Sequence, residues 1–166
     1  MEQKTYIGID NGITGSIGVL GKERIFALTP IKREQNYTKK HQRISRLDTS
    51  EMLSMMFSYT KGSQQVLVLL ERPLVDPSKF RATVSAVRCL EATLTVLEAL
   101  SIPYEYLDSR QWQREMLPSG IKGSAELKRA SRDIGIRLFP EFAEEIQAHG
   151  DADGLLMAEW ARRNGR

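Results

Sequence analysis

Two acidic residues follow apolar runs, in positions where their carboxylates could share a metal ion. Asp10 comes directly after residues 5–9, TYIGI, and Glu71 comes directly after residues 66–70, VLVLL. Both runs predict strands, so the two acids are expected at strand carboxyl ends, side by side if the strands are parallel neighbours. Two bare carboxylates repel each other, and burial raises the cost. Mg²⁺ relieves this repulsion, since it binds carboxylates together with water and phosphate oxygens.

A structural role is the alternative for each acid. Asp10 precedes a turn that Gly12 and Gly15 predict, and a strand-end acid can cap such a turn. Glu71 ends a wholly apolar strand, which disfavours a capping role, but a surface ion pair with Arg72 stays open as an explanation.

The last predicted helix contributes two further acids. Asp153 shares a helix face with the apolar residues that follow at helical spacing, Leu156, Met157 and Trp160. It is therefore expected to face inward, one turn from the helix start, where a carboxylate needs a metal ion or a basic partner. Asp151 cannot share that face and fits an N-cap or pre-helix position, so capping and metal ligation are both open. His149 is either a water-activating base or ligand, or merely exposed.

The set Asp10, Glu71, Asp151 and Asp153 predicts metal-dependent hydrolysis of phosphodiesters. Carboxylate clusters that hold two Mg²⁺ ions about 4 Å apart drive in-line displacement at phosphorus. One ion lowers the pKa of the attacking water, and the other stabilises the leaving 3′ oxygen. We therefore expect two Mg²⁺ ions per active site, with Mn²⁺ able to substitute.

Basic residues cluster in two stretches that fit a phosphate backbone. Residues 22–46 contain eight Lys or Arg against two Glu, and residues 110–137 contain seven Lys or Arg against three acids. Such clusters are typical of nucleic-acid binding, and Lys39 and Lys40 in the first stretch are predicted DNA contacts. Solvated loop and helix faces would give the same composition, so charge alone leaves the two interpretations even.

Length and composition limit the class of protein. The 166 residues are 41% hydrophobic and 27% charged, which fits a single domain over 1–166 and excludes a disordered or collagen-like chain. The single cysteine, Cys89, excludes a disulfide framework and a multi-cysteine zinc site. No apolar run reaches the length of a membrane span and no signal-peptide pattern is present, so a soluble intracellular protein without membrane contact is expected.

The order of predicted elements favours a mixed α/β sheet. Three short apolar runs punctuated by glycine, 5–10, 16–20 and 24–29, predict an antiparallel meander. Polar and aperiodic residues 30–47 predict a long loop. Asp48 predicts a helix start. The remaining predictions are strands at 66–70 and 104–107, and helices at 79–100, 109–117, 124–138 and about 152–163. This order predicts a five-stranded mixed sheet flanked by helices. It resembles the ribonuclease H-like fold, and that likeness rests on the positions of the acids, since periodicity gives the order only.

Five segments resemble the RuvC family of Holliday junction resolvases, particularly its compact phage-type members. They follow family order over nearly the whole chain: YIGIDNGITGSIGVL (6–20), VLLERP (68–73), SIPYEYLDSRQWQREML (101–117), KGSAELKRASRDIGIRLFP (122–140) and HGDADGLLMAEWARR (149–163). Asp10 and Glu71 match the family's acids of the first and fourth strands, and Asp153 matches the final acid of its helix motif. The family has a further acid or His about one turn before this final acid. The matching position here is Gly150, so Asp151 or His149 would substitute for it.

This resemblance implies a homodimer that binds a four-way DNA junction and nicks two opposing strands, in the cytoplasm of a bacterial cell or a phage-infected host. It places helix 79–100 near the dimer interface. It implies that Phe80 stacks on an unpaired base while Lys79 and Arg81 contact phosphates. Lys122 and Lys128 resemble family lysines that face the scissile phosphate, which makes Lys128 a candidate catalytic residue. A solvated helix face is the alternative for Lys128.

Other functions stay open. IGIDNGITGS also resembles the first phosphate loop of the actin–hexokinase ATPases, through Asp10, Gly12 and Thr14, but those proteins use two such lobes and this chain has one. A non-catalytic or RNA-processing RuvC-like domain would keep the fold and the basic surface, although the acids at three element ends argue against lost catalysis. A simple nucleic-acid-binding module leaves Asp153 unexplained. Junction-only and broader branched-DNA specificity are both compatible with the sequence.

Overall fold

The computed structural model describes residues 4–34, 36, 39–40 and 43–166. Its strands are β1 (Lys4–Ile9), β2 (Ser16–Leu20), β3 (Arg24–Leu28), β4 (Ile31–Glu34), β5 (Ile44–Leu47), β6 (Gln65–Glu71) and β7 (Tyr104–Leu107). Its α-helices are α1 (Thr49–Thr60), α2 (Phe80–Ala99), α3 (Ser109–Met116), α4 (Ser124–Leu138), α5 (Ala143–His149) and α6 (Asp153–Arg163). Among these described residues, no helix combines the length and the apolar character needed to cross a bilayer.

The central sheet has five strands in the order β3-β2-β1-β6-β7. β1, β2 and β3 pair antiparallel, whereas β6 pairs parallel with both β1 and β7. This confirms the predicted ribonuclease H-like arrangement of an antiparallel meander followed by alternating helices and strands. Ile9 lies opposite Leu70 in the β1–β6 pair. The residues that follow them, Asp10 and Glu71, therefore reach the same edge of the sheet.

Helices cover both faces of this sheet. On one face α6 lies so close to β2 that a Cβ on Gly18 would stand 2.3 Å from the Leu155 backbone nitrogen, so glycine is required there. α6 is buried from Gly154 to Ala161, on nearly all its sides, and joins a core with α3 and α4. The other face is covered by α1 and α2, and the side chains of this second core include Ile7, Met52, Met56, Val68 and Leu97.

Two paired strands, β4 and β5, lie within the segment 30–47, so the predicted long loop is wrong for its described residues. β4 and β5 pair antiparallel, with Ile31 opposite Leu47. The backbone N–H of Asp48 closes the base of the hairpin by donating to the Pro30 carbonyl at 2.9 Å. Arg46 and Glu34 form a cross-strand ion pair at 2.8 Å. These four-residue strands are stabilised by charged side chains. Their sequence therefore lacks the hydrophobic alternation from which a strand is predicted.

The other predicted elements are confirmed to within a residue at each end. Asp48 is the N-cap of α1, and its carboxylate accepts hydrogen bonds from the Ser50 and Glu51 N–H groups at 3.2 Å each. The short helix α5 was not predicted. It ends at Gly150, whose φ of +100° is the left-handed conformation that glycine adopts readily. This turn leads the chain from α5 into the acids that precede and begin α6.

Candidate active site

The loop after β1 holds Asp10 at the edge of the sheet. The Asp10 backbone N–H donates to the Ser16 carbonyl at 3.0 Å, and the Gly15 N–H donates to the Gly12 carbonyl at 3.1 Å, so the chain turns directly back into β2. A Cβ on Gly15 would stand 2.0 Å from the Asp10 carbonyl oxygen, so this tight turn requires glycine. The Asp10 carboxyl group shares a hydrogen bond with Glu71, the acid at the end of β6.

Helix α4 fixes the beginning of α6. The Ser131 hydroxyl is buried, donates a short hydrogen bond to Asp153 Oδ1 and accepts one from the Ala152 N–H at 3.1 Å. α4 can approach this closely because residue 135 is a glycine. A Cβ at that position would stand 2.2 Å from the Ala152 side chain. Asp153 is the first residue of α6, and its prediction one turn inside the helix is wrong. Glycine-assisted packing thus places Asp153 at the helix start, toward the sheet edge.

The sequence allowed Asp151 an N-cap or a pre-helix position, and the structure places it in the pre-helix position. The N-cap residue of α6 is Ala152, which makes no side-chain capping hydrogen bond. Asp151 Oδ1 accepts a long hydrogen bond from the Asp153 backbone N–H at 3.3 Å. Its side chain is only 1% exposed. Capping therefore accounts for part of the role of Asp151 and leaves its other oxygen available for a different partner.

Three of the four predicted ligands converge. One carboxylate oxygen from each of Asp10, Asp151 and Asp153 lies within 4.8 Å of the others. Glu71 stands outside this group and reaches it through its hydrogen bond with Asp10. The three residues other than Asp151 are partly exposed, so the cluster is accessible from solvent. An accessible donor set made only of carboxylate oxygens suits a hard cation such as Mg²⁺.

Crowding of the carboxylates shows in their pKa values. Burial and then the charge of Glu71 raise the pKa of Asp10 well above its usual range. Burial and then the charge of Asp151 raise the pKa of Asp153 to about 7. Burial also raises the pKa of Glu71, although its hydrogen bond with Asp10 opposes this. A bound cation would relieve this repulsion, so these residues fit a divalent metal ion.

Lys128 and His149 flank Asp151. Lys128 Nζ lies 2.6 Å from Asp151 Oδ2, and His149 Nε2 lies 3.4 Å from Asp151 Oδ1. Burial raises the pKa of Asp151, but the interactions with His149 and Lys128 outweigh it and hold that pKa below its ordinary value. The Lys128 side chain is 55% exposed, whereas His149 is 11% exposed and its ring meets the Phe26 ring edge-on. Simple exposure, one of the alternatives for His149, is therefore wrong.

Two residues that position the acids were missed by the sequence analysis. Trp112 of α3 is fully buried, and its indole N–H donates to Glu71 Oε1 at 3.5 Å. Ser131 holds Asp153, as described above. The sequence carries one signal for Ser131, its spacing of three residues from Lys128, which predicts a shared face of α4. Trp112 has the appearance of an ordinary core residue.

The remaining predicted DNA-binding residues lie on three separate segments. Lys79, Phe80 and Arg81 stand together at the N-terminus of α2 and are exposed, and Phe80 is exposed to 72%. Lys122 is exposed in the loop before α4. Lys39 and Lys40 are exposed in the turn between β4 and β5. Within the described part of the chain, Lys128 is the one predicted DNA-binding residue that pairs with an acid of the cluster.

Comparison with solved structures identifies the fold. Thermus thermophilus RuvC in complex with Holliday junction substrate has 16% sequence identity to this chain and a TM-score of 0.56, and the match covers 96% of each chain. A second Thermus thermophilus RuvC structure has 16% identity and a TM-score of 0.51, with 97% of this chain and 96% of that chain covered. No protein-family model and no curated protein sequence matches the chain. The chain thus shares the ribonuclease H-like fold of the RuvC structures along nearly its whole length.

Proposed function

We propose that residues 1–166 form a single nuclease domain, a metal-dependent endonuclease that resolves four-way DNA junctions by paired nicks. The observation that carries this proposal is the convergence of Asp10, Asp151 and Asp153 within 4.8 Å, beside Lys128. Crowded carboxylates next to an ammonium group suit a cation that bridges the protein to a phosphate. The similar fold of RuvC, which was solved with Holliday junction substrate, supports a four-way junction as the substrate.

Asp10, Asp151 and Asp153 would hold the metal, and Glu71 would complete the set. Mg²⁺ is the proposed ion, two per site, with Mn²⁺ as a substitute, because all four residues offer carboxylate oxygens. When bound, the metal activates water and stabilises the charge that develops on the phosphate. The acids alone would repel the DNA backbone, since like charges at short range in a partly buried site are poorly screened.

The protein's own side chains keep this site in one arrangement. Lys128 neutralises Asp151 and keeps a half-exposed ammonium group that can donate to a phosphate oxygen. Ser131 holds Asp153 from α4, and Trp112 holds Glu71 from α3. Groups that are already oriented need no reorganisation when charge develops in the transition state. Lys128 is therefore the proposed catalytic cation, which would donate to the phosphate beside the acids, and Ser131 and Trp112 are positioning residues.

A homodimer is part of the proposal, because two opposing nicks need two active sites. Two hydrogen bonds between Asp76 and Thr83, at 2.9 and 3.1 Å, hold the segment after β6 against α2. Leu74 and Val75 in that segment are 79% and 62% exposed, and Val87, one turn beyond Thr83, is 42% exposed. Exposed apolar residues gathered at one place are typical of a protein interface. We assign the dimer contact to this side of α2.

The proposed DNA contacts surround the acids. Phe80 would stack on an unpaired base at the branch point, with Lys79 and Arg81 on the flanking phosphates. Lys122 and Lys128 would contact the strand that is cut, and Lys39 and Lys40 would contact an arm of the junction. The proposed setting is the cytoplasm of a bacterial cell or a phage-infected host.

The test uses an end-labelled four-way junction and a linear duplex with the same arms, each with Mg²⁺ or with EDTA. The proposal expects paired nicks in the junction, only with metal, and none from the Asp10→Asn variant. Nicking of forks and flaps as well would make the enzyme a general debranching nuclease. Tight junction binding without nicking would favour a non-catalytic domain. Neither binding nor nicking would contradict the proposal and direct attention to ATP binding through the loop after Asp10.

A further inference from the structure

A groove separates the β4–β5 hairpin from the first half of α2. It encloses about 510 Å³. The hairpin side contributes Arg43, Ile44 and Ser45, and the helix side contributes Phe80, Arg81, Val84, Ser85 and Arg88. We call this the hairpin groove. Its hairpin wall belongs to the basic stretch 22–46, which the carboxylate cluster does not explain.

The lining of the hairpin groove combines positive charge with apolar surface. Three of its side chains are arginines, and the described lining contains no acid. Phe80 is 72% exposed and Val84 is 38% exposed, so an aromatic ring and an aliphatic wall are open to a ligand. Arginines that follow a backbone and aromatic rings that stack on bases are the combination by which proteins bind single-stranded nucleic acid.

The hairpin wall of the groove is held in place. Arg46 pairs with Glu34 at 2.8 Å, and the Asp48 N–H donates to the Pro30 carbonyl at 2.9 Å. The charge of Arg46 is thereby used within the hairpin, whereas Arg43 at its other end lines the groove. A wall fixed before binding lowers the ordering cost that a ligand must overcome.

One loop joins the hairpin groove to the carboxylate cluster. Ile13, three residues after Asp10, lines the groove. The Asn11 side chain donates to the Ala86 carbonyl of α2 at 3.1 Å, and the Thr29 N–H at the hairpin base donates to the Gly15 carbonyl at 3.0 Å. The loop that carries Asp10 is thus tied to both walls. A strand that leaves the acids would pass over Ile13 into the groove.

We propose that the hairpin groove binds an unpaired DNA strand that leads away from the active site. This rests on the proposed function, which supplies DNA as the substrate. The volume matches pockets that hold single small ligands. It suits individual nucleotides and is too small for a duplex, whose major groove alone is about 12 Å wide. The enzyme would then recognise a junction partly by the strand that is unpaired at its branch point.

The test measures binding of a fluorescent oligothymidylate of about 16 nucleotides in EDTA, so that no cleavage occurs. Ser45→Glu places a negative charge in the groove and is expected to weaken binding about tenfold. Ser45→Gln has the same size without the charge and should bind nearly as wild type. Arg43→Ala should weaken binding and reduce the slope of log affinity against log salt by about 0.7. Lys61→Ala is the control for one lost charge. Lys61 lies before the amino end of β6, whereas Asp10 follows the carboxyl end of the parallel strand β1. Circular dichroism checks that each variant is folded.

Several results would overturn the groove. Equal oligonucleotide affinities for Ser45→Glu and wild type would contradict the proposal. Competition by polyglutamate as strong as that by oligothymidylate would reduce the groove to a general anion site. Wild-type protein that binds duplex but not oligothymidylate would also contradict it. Junction nicking is assayed separately. If wild type nicks junctions but the groove variants bind oligothymidylate as well as wild type does, the proposed function stands and the groove proposal is wrong. If the groove variants weaken oligonucleotide binding but wild type nicks no junction, the groove proposal stands and the proposed function is wrong.

Discussion

Asp10 and Glu71 occupy matching positions on two neighbouring parallel strands, and their side chains share a hydrogen bond. The pairing of Ile9 with Leu70 sets this alignment through the backbone. The carboxylates are therefore brought together by folding itself, before any ion binds. The fold bears the cost of their repulsion, and both pKa values are raised, in each case chiefly by burial.

The first prediction concerns the removal of either charge from this pair. Asp10→Asn and Glu71→Gln should each abolish junction cleavage while leaving junction binding intact or tighter, because the amides cannot hold the metal and no longer repel phosphate. Asp10→Asn should also raise the melting temperature of the metal-free protein by roughly 2–4 °C, the shift expected for about 1 kcal/mol in a chain of this size. Cleavage and binding assays with melting curves in EDTA check this. Loss of binding together with loss of the folded circular dichroism signal would instead make the acids structural.

The second prediction separates the two acids near the start of α6. Asp151 is neutralised by Lys128 at 2.6 Å and approached by His149 at 3.4 Å, whereas a serine hydroxyl donates to Asp153. The charge of Asp151 is therefore already balanced in part by Lys128 before a cation binds. Asp151→Asn should slow cleavage about 10–100-fold, and Asp153→Asn should slow it further. Single-turnover rates at saturating Mg²⁺ measure both, and equal or reversed losses would contradict this ranking.

Much of this site follows from local patterns in the sequence. An apolar run followed by an acid predicts a strand end, and this places Asp10 and Glu71 correctly because the sheet edge is where both strands stop. The same reasoning fails for strands β4 and β5, where the Arg46–Glu34 pair stabilises strands that have no hydrophobic alternation. It also fails for Asp153, since the start of α6 is set by contacts with α4 that are distant in sequence.

The third prediction tests such a distant contact. Ser131→Ala removes the hydroxyl that donates to Asp153 and accepts from the Ala152 N–H. Partners of metal ligands typically contribute 10–100-fold to metal affinity, so the Mg²⁺ concentration for half-maximal cleavage should rise by about that factor. Ser131→Thr keeps the hydroxyl and should recover part of the loss. Ser54→Ala is the control, because the Ser54 hydroxyl donates to the Ser50 carbonyl within α1, outside the acidic cluster. An unchanged Mg²⁺ requirement for Ser131→Ala would show that Asp153 is held by other contacts.

Glu159 on α6 makes stability depend on pH at a place outside the acidic cluster. Its side chain is 7% exposed and lies 2.8 Å from Arg162 and 2.7 Å from Arg163. Burial raises the pKa of Glu159, but the hydrogen bonds from these arginines outweigh it, so the pKa lies below its usual value of 4.5. The folded protein therefore binds this proton less readily than the unfolded chain does. The resulting stability is present above pH 4.5 and disappears as the pH falls through the lowered folded value.

The fourth prediction follows from this lowered pKa of Glu159. Glu159→Gln should lower the free energy of unfolding by about 1 kcal/mol at pH 7, since the arginines are half exposed and the pairs are partly screened. The difference from wild type should shrink toward pH 3, because the ion pairs with the arginines are lost as Glu159 takes up a proton. Urea denaturation at the two pH values measures it, with the exposed Glu145→Gln as the control. A difference that persists undiminished at pH 3 would mean that Glu159 stabilises α6 through packing rather than through its charge.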